Sequence, residues 1–320
     1  MLWTRPTDSL EHRRRDLARR LHKLHQVFEV PSLQRERIGV SQVVAYYEHC
    51  HDAYRKYHSS EGSVHLALND GDRFDPDGFH GQLRRMEQSW TQAAAAPRDV
   101  LELAFGQGFN LNYLAPRHPG IHFTGLDLTP VHAQITAERL QRNKLSNVSL
   151  TLGDFHHLPY ADGSFDHVFT IESLCYATDL PRVLGEVARV LRPGGAFTIF
   201  DVYQPRPNPD TDADSLLAAE LIARGMALER WQLLDELLAG ADTVGLQPER
   251  RAVLNDQILP DLRRLERITG AIIRFPWLGR RALARRSPLR GRNILAGYLM
   301  RCVMQARILE YHHLLLHKPA

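Results

Sequence analysis

The sequence predicts an α/β fold built on a doubly wound, mostly parallel sheet, and three observations predict it. Residues 100–110 read V-L-E-L-A-F-G-Q-G-F-N: an apolar strand (Val100, Leu101, Leu103), a glycine turn, then a helix-like start. A second strand at 121–126 ends in Asp127. Further strand-like runs at 148–152, 165–171 and 196–201 alternate with helical patterns, and such alternation builds a parallel sheet with right-handed crossovers.

Each element has its own signal. The glycines after the first strand let the backbone approach a bound nucleotide closely. Asp127, at the end of the second strand, can accept the hydroxyls of a ribose. Together they point to an adenosine-containing cofactor. A dinucleotide site asks for G-x-G-x-x-G; Gly106 and Gly108 fit, but the third position is Leu111. Glu102 lies on the cofactor edge and suits a cationic ligand better than a diphosphate, and no G-x-x-x-x-G-K-[ST] phosphate loop is present. The third strand ends at Gly153-Asp154-Phe155, and the fourth follows the turn Ala161-Asp162-Gly163-Ser164. A helix over 179–191 carries Leu180, Leu184, Val187 and Leu191 on one face and stops at Arg192-Pro193-Gly194-Gly195. Glu102, Asp127, Asp154 and Glu172 all fall at or just past strand ends, where ligands of open α/β sheets sit.

Composition narrows the class. The chain has 320 residues, 43% of them apolar, enough for a large core in one or two domains. A formal charge of +3 is too small to argue for nucleic acid. Cys50, Cys175 and Cys302 are widely spaced and give neither a metal pattern nor a disulfide framework. His49 with His51, and His312 with His313, lack a matching second pair of ligands, so no metal is expected. No apolar run reaches membrane-spanning length, and the N-terminus lacks the apolar core of a signal peptide. A cytoplasmic location is the expectation.

The segments E-L-A-F-G-Q-G, G-L-D-L-T, L-G-D-F-H-H-L-P-Y-A-D-G-S-F-D, I-E-S-L-C-Y and V-L-R-P-G-G resemble the class I S-adenosylmethionine-dependent methyltransferases. The resemblance covers residues 97–203 and lies nearest the small-molecule branch that includes sterol, tocopherol, ubiquinone and natural-product methyltransferases. It implies a Rossmann-like seven-stranded sheet whose last strand is antiparallel, with S-adenosylmethionine as cofactor. It also implies Glu102 and the backbone of Ala104, Gly106 and Gly108 for the methionine part, Asp127 with Leu128 for the ribose, and Asp154 with Phe155 for the adenine, with Ile171 beside them. Ala104 departs from the family, which usually has glycine there; alanine at ordinary backbone angles is expected to be tolerated.

Flanking segments complete three regions: an N-terminal helical and lid segment (1–95), the cofactor core (96–205), and a C-terminal part (206–320) with an inserted helical cap over about 258–308. Residues 1–30 read as a basic amphipathic helix, with Leu10, Leu17, Leu21, Leu24 and Phe28 on one face. Packing on the enzyme's own body and contact with a membrane or partner are both open. Tyr46, Tyr47, Tyr54 and His65 precede the core, where the resembled methyltransferases place a lid. Residues 216–238 suggest one long helix with a break near Gly225. Strands near 250–254 and 311–317 close the sheet, and the segment between them is rich in arginine from Arg263 to Arg292. The arginines fit an anionic acceptor, an acidic lipid surface met with Phe275, Trp277 and Leu278, or a solvated helix face.

Methyl transfer needs an in-line nucleophile and exclusion of water. A hydroxyl acceptor needs a base, for which His156, His157 and His65 are candidates. An alkene acceptor passes through a cation and needs aromatic faces and a carboxylate, for which Glu172, Tyr176, Tyr46 and Tyr47 are candidates. The expected function is methylation of a small, largely apolar metabolite, with no nucleic-acid partner and a homodimer left open. Rivals are carbon methylation of an isoprenoid or its diphosphate, a dehydrogenase, and a catalytically silent interaction protein of the same fold.

Overall fold

The computed structural model describes residues 10–92, 96–206, 211–284 and 288–320. Helices α1 (Leu10–His25), α2 (Val30–Arg35), α3 (Val40–Ala53) and α4 (Gly81–Gln92) precede the sheet. The alternating core follows: β1 (Asp99–Leu103), α5 (Phe109–Arg117), β2 (His122–Asp127), α6 (Pro130–Arg142), β3 (Val148–Leu152), β4 (Phe165–Ile171), α7 (Leu180–Val190) and β5 (Leu191–Tyr203). After α8 (Ala213–Gly225) and α9 (Leu234–Thr243) comes β6 (Gln247–Val253). Helices α10 (Asn255–Ile273), α11 (Pro276–Ala284) and α12 (Pro288–Gln305) then separate it from β7 (Glu310–His317).

The sheet has seven strands in the order β3-β2-β1-β4-β5-β7-β6. β1 to β5 are parallel, and β7 runs antiparallel to both β5 and β6. The order reverses between β1 and β4, so the crevice beyond their carboxyl ends is the switch point where such sheets bind ligands. Two apolar cores cover the faces. One joins Phe123 and Phe169 to Leu83 of α4, Leu221 of α8 and Leu299 of α12. The other joins Val168 and Leu316 to Leu184 and Val187 of α7 and Leu237 of α9. α7 shows how the sequence sets an element: the Asp179 carboxylate accepts the Arg182 N–H at 3.1 Å, Pro181 lies in the first turn, and the apolar stripe is buried.

Two expectations become more specific. The amphipathic face of α1 is spent on the protein's own body: Leu17, Leu21 and Leu24 are buried in the core that includes α8 and α12. Residues 1–9 of that expected helix lie outside the described residues. The helix expected over 216–238 breaks at Gly225, where a break was expected, into α8 and α9, and the segment joining them is irregular, with Ala227 at φ +59°. Side chains hold that segment open: the Tyr176 hydroxyl donates to the Met226 carbonyl at 2.9 Å, Gln232 Nε2 donates to the Ala177 carbonyl at 2.7 Å, and Trp231 Nε1 donates to the Ala219 carbonyl at 2.8 Å. Apolar periodicity alone could not show this, because the competing bonds are tertiary. None of the described helices is long and apolar enough to cross a membrane.

Candidate active site

A crevice of about 930 Å³ opens at the switch point. The turns after β1 to β4 form its floor through Ala104 and Gly106, Asp127 and Leu128, Asp154 and Phe155, and Ile171 and Glu172. Tyr47 and Val43 of α3, with Val64, cover it from the N-terminal side. An inner cavity of about 480 Å³ lies deeper, between the segment after α3, α10, α12 and the tips of β4 and β5. The two spaces share Val64, Glu172 and Cys175.

The floor is fixed by hydrogen bonds that converge on the glycine turn. Gly106 N–H donates to Asp127 Oδ2 at 2.8 Å, and Thr129 N–H donates to Asp127 Oδ1 at 2.8 Å. The Thr136 hydroxyl donates to the Gly106 carbonyl at 3.1 Å, and Arg139 Nη1 donates to the Gln107 carbonyl at 2.9 Å. Gly108 has φ +73°, and a Cβ there would stand 2.4 Å from Thr136 Cγ2. Only glycine allows α6 to pack that closely. Asp127 therefore both anchors the turn and presents carboxylate oxygens to the crevice.

Ala104 corrects an expectation. It has φ +59°, in the left-handed region, where its Cβ crowds the following carbonyl. Its N–H donates to the Leu126 carbonyl at 2.6 Å, so β1 turns sharply as soon as it leaves β2. Glu172 repeats the device at the end of β4: φ is +53°, and its N–H donates to the Phe200 carbonyl at 2.7 Å. Both residues line the crevice.

The carboxylates are unusual. Glu102 is 1% exposed; Oε1 accepts from Asn110 Nδ2 at 2.7 Å, and Oε2 has no partner in the protein. Burial, offset by Asn110 and reinforced by nearby Asp127, pushes its carboxyl up to about 8. Glu172 retains exposed area because it faces both spaces, yet burial pushes it up to about 8 as well, against hydrogen bonds from the Leu66 N–H (2.7 Å) and Tyr311. Asp201, 1% exposed at the tip of β5, lines the inner cavity and is pushed up to about 6 by burial. Its Oδ2 accepts the Cys175 N–H at 2.9 Å. Asp201 is absent from the residues singled out in the sequence. The rule that selected the other four acids, a carboxylate closing a parallel strand, selects it too.

Other candidates separate into groups. His156 lines the crevice, but Nδ1 donates to Asp154 Oδ1 at 2.6 Å and Nε2 accepts the Thr178 N–H at 3.1 Å. Its ring ties β3 to the turn before α7 and has no free nitrogen for an acceptor. Burial opposes ionisation of Asp154, and the backbone and ring N–H groups of His156 outweigh it, holding the carboxyl below its ordinary value. His157 is exposed and lines neither space. His65 is buried with Nε2 3.1 Å from Asn110 Oδ1, away from both spaces, and burial pushes it down to about 4. The Tyr47 hydroxyl donates to the Tyr176 hydroxyl at 3.0 Å, with their rings 5.8 Å apart edge to face. Tyr47 and Tyr176 line the crevice and Tyr54 lines the inner cavity. Tyr46 lines neither; it is fully buried and bonds Tyr54 at 2.9 Å and Asn293. Burial raises all four phenols, so none is a base near neutral pH.

The arginine-rich segment does not reach the inner cavity: no described arginine lines it. Arg264 pairs with Asp261 at 2.7 Å and Arg292 with Glu36 at 2.6 Å, while Arg263 donates to the Asp72 carbonyl at 3.1 Å. Arg285 and Arg286, and the side chains of Leu278 and Arg290, lie outside the described residues. Among the described residues, no group of three or more His, Cys, Asp or Glu could hold a metal ion.

The donor set decides the cofactor class. Glu102 lines neither space, but its buried carboxyl oxygen without a partner asks for a positive group nearby. Carboxylates at successive strand tips suit an adenosine with a positively charged tail, and the turn lacks the third glycine a pyrophosphate would need. The fold is that of the class I S-adenosylmethionine-dependent methyltransferases. The methyltransferase domain family matches residues 101–199 of the 320. An arsenite methyltransferase of Halobacterium salinarum is 37% identical over 164 residues, 49% of this chain and 41% of that one. A phthiotriol/phenolphthiotriol dimycocerosates methyltransferase of Mycobacterium tuberculosis is 34% identical over 188 residues, 58% of this chain and 64% of that one. The matches thus span about half the length of these curated relatives. Among solved structures, the [4+2]-cyclase SpnF superposes with TM-score 0.69 at 20% identity, covering 89% of this chain and 100% of that one. Geranyl diphosphate C-methyltransferase from Streptomyces coelicolor A3(2), solved with S-adenosyl-L-homocysteine, superposes with TM-score 0.61 at 15% identity, covering 85% and 98%.

Two predictions follow from the strand tips. Relieving the left-handed alanine gains about 1–2 kcal/mol, less about 0.4–1 kcal/mol for the freer unfolded chain. Ala104→Gly should therefore raise stability by up to about 1.6 kcal/mol, read as a higher denaturant midpoint; a lower midpoint contradicts the strain. The second prediction concerns pH. Glu102 and Glu172 hold their protons more tightly folded than unfolded. Their contribution is full below the ordinary carboxyl value and is lost as pH rises through about 8. Buried His65, His167 and His313, lowered to about 4, 3 and 4, act in the opposite sense, but only below about pH 6.5. The Tm of the cofactor-free protein should fall from about pH 6.5 to about 8, with a shallower fall in Glu102→Gln; a flat or rising wild-type profile counts against the carboxyl shifts.

Proposed function

We propose that the protein moves a methyl group from S-adenosylmethionine to a neutral, largely apolar small molecule held in the inner cavity. The observation that carries the reading is the position of Glu172, which faces both the cofactor crevice and the inner cavity. The bound cofactor supplies an electrophilic sulfonium methyl. The protein's residues do the rest. Trp231, Leu262, Leu265 and Met300 give the cavity apolar walls that bind the acceptor and keep water out. An acceptor that gains a methyl must lose a proton, and Glu172 is the carboxyl placed to take it. Its raised value makes it a stronger base once ionised. Tyr47, with Tyr176 across the crevice, acts as the lid that closes over the reacting atoms.

Charge selects the acceptor class. Glu172 and Asp201 line the inner cavity with the exposed Asp52, and its one described lysine or arginine, Lys56, is exposed. An anionic acceptor such as a diphosphate would meet carboxyls and no arginine, so the arginine argument for a prenyl diphosphate falls away. Carbon methylation through a cation keeps specific support: Tyr54 and Trp231 share the cavity with the carboxyls of Asp52, Glu172 and Asp201, which can stabilise positive charge. Arsenite, named for one relative, binds thiols. Here Cys302 lies beside Arg20 at the basic α1–α12 junction, while Cys175 borders the cavity. The cyclase among the structural neighbours shows that this fold also serves other chemistry.

The test uses enzyme, methyl-labelled S-adenosylmethionine and an extract of apolar metabolites, read by mass spectrometry. A single product heavier by the labelled methyl is expected. Glu172→Gln should still bind cofactor and turn over at least about 100-fold more slowly. Intact turnover in Glu172→Gln removes Glu172 from the chemistry, and a product with no added methyl overturns the reading.

A further inference from the structure

The rim of the inner cavity continues into an exposed surface that methyl transfer does not explain. Ile268 and Ile272 of α10 line the cavity, and Ile268 is 38% exposed. Positions 268, 272 and 275 follow helical spacing, so the apolar line runs outward from the cavity to Phe275, 50% exposed, and then to Trp277, 67% exposed. Large aromatics that far from cover are uncommon on a protein surface. Tyr57, 44% exposed, and Lys56 stand on the opposite side of the rim.

Charge surrounds this line and has one sign. Arg267, Arg274, Arg280 and Arg281 are exposed on α10, α11 and the junction between them, and no ion pair neutralises them among the described residues. Arg274 lies over the Phe275 ring at 5.6 Å, and Arg280 donates to the Gln26 carbonyl. The one acid in this stretch of α10, Glu266, is turned away and already paired with Arg20 and Arg301. Aromatic side chains fringed by unpaired guanidiniums are the complement of an anionic interface with an apolar interior.

We propose that the α10–α11 corner docks on an anionic lipid surface, with Phe275 and Trp277 entering the acyl boundary and the four arginines meeting the headgroups. Docking there sets the mouth of the inner cavity, between Ile268 and Tyr57, against the bilayer. A lipophilic acceptor then passes from membrane to cavity without crossing water. This goes beyond the methyl-transfer reading, and vesicle binding requires neither cofactor nor acceptor, so either can fail alone.

The experiment sediments the full-length protein with vesicles of phosphatidylcholine, alone or with about 30 mol% phosphatidylglycerol, at low and high salt. Binding to the anionic vesicles is expected, weakening as salt rises. Arg267→Glu with Arg281→Glu should lower the partition coefficient at least about tenfold. Phe275→Ala with Trp277→Ala should also lower it, with thermal melts near wild type because all four positions are exposed. Acyl-chain bromine should quench the wild type, and Trp277→Phe should lose most of that quenching. The proposal is overturned if wild type stays off anionic vesicles at low salt, if the charge-reversed variant partitions equally, or if a single-stranded oligonucleotide competes the protein off vesicles stoichiometrically.

Discussion

Carboxyl groups brought into low dielectric without a full set of partners are the constraint on which this site rests. Taking an ionised carboxylate out of water costs far more than a fold can absorb, so such a group keeps its proton or waits for a cation. Here Glu102, Glu172 and Asp201 stand at the carboxyl ends of adjacent strands, and each is pushed upward by burial. Glu172 lines both spaces and Asp201 the inner cavity, while Glu102 is buried and lines neither; acids so arranged suit a positive ligand better than a phosphate. Sheet order, left-handed strand ends and the covering helix α3 all serve to hold that arrangement.

The same constraint links binding to chemistry. A sulfonium near these groups favours their ionised forms, and an ionised Glu172 is the form that can accept a proton. A protein that leaves its carboxyls partly unsatisfied gives up stability to gain a site that completes itself on binding. Strain at Ala104 and Glu172 belongs to the same exchange, since both left-handed turns release the chain from the sheet at the point where the ligand must approach.

Much of this was legible in the chain. The strand-end acids, the glycine turn and the period-two and helical patterns place the sheet and its crevice, because those features are local. Tertiary features were not. Ala104 reads as an ordinary alanine until the bond from its N–H to Leu126 forces the turn. His156 reads as a base until Asp154 and Thr178 occupy both its nitrogens. The arginine-rich segment leaves an anionic acceptor, a lipid surface and a solvated face open in the sequence; in space no described arginine lines the inner cavity, and Arg264 and Arg292 pair with Asp261 and Glu36. Asp201 also lies at the end of a strand pattern, but no glycine turn adjoins it to mark a ligand site.

The most direct measurement is the proton balance of S-adenosylmethionine binding, taken by titration calorimetry near pH 7.5 in buffers of differing ionisation enthalpy. A cation that draws buried carboxyls toward ionisation must release protons to the buffer, and Glu102→Gln should release fewer. Binding heats that do not depend on the buffer would mean the carboxyls are already ionised or out of contact, and the account of the site would not stand.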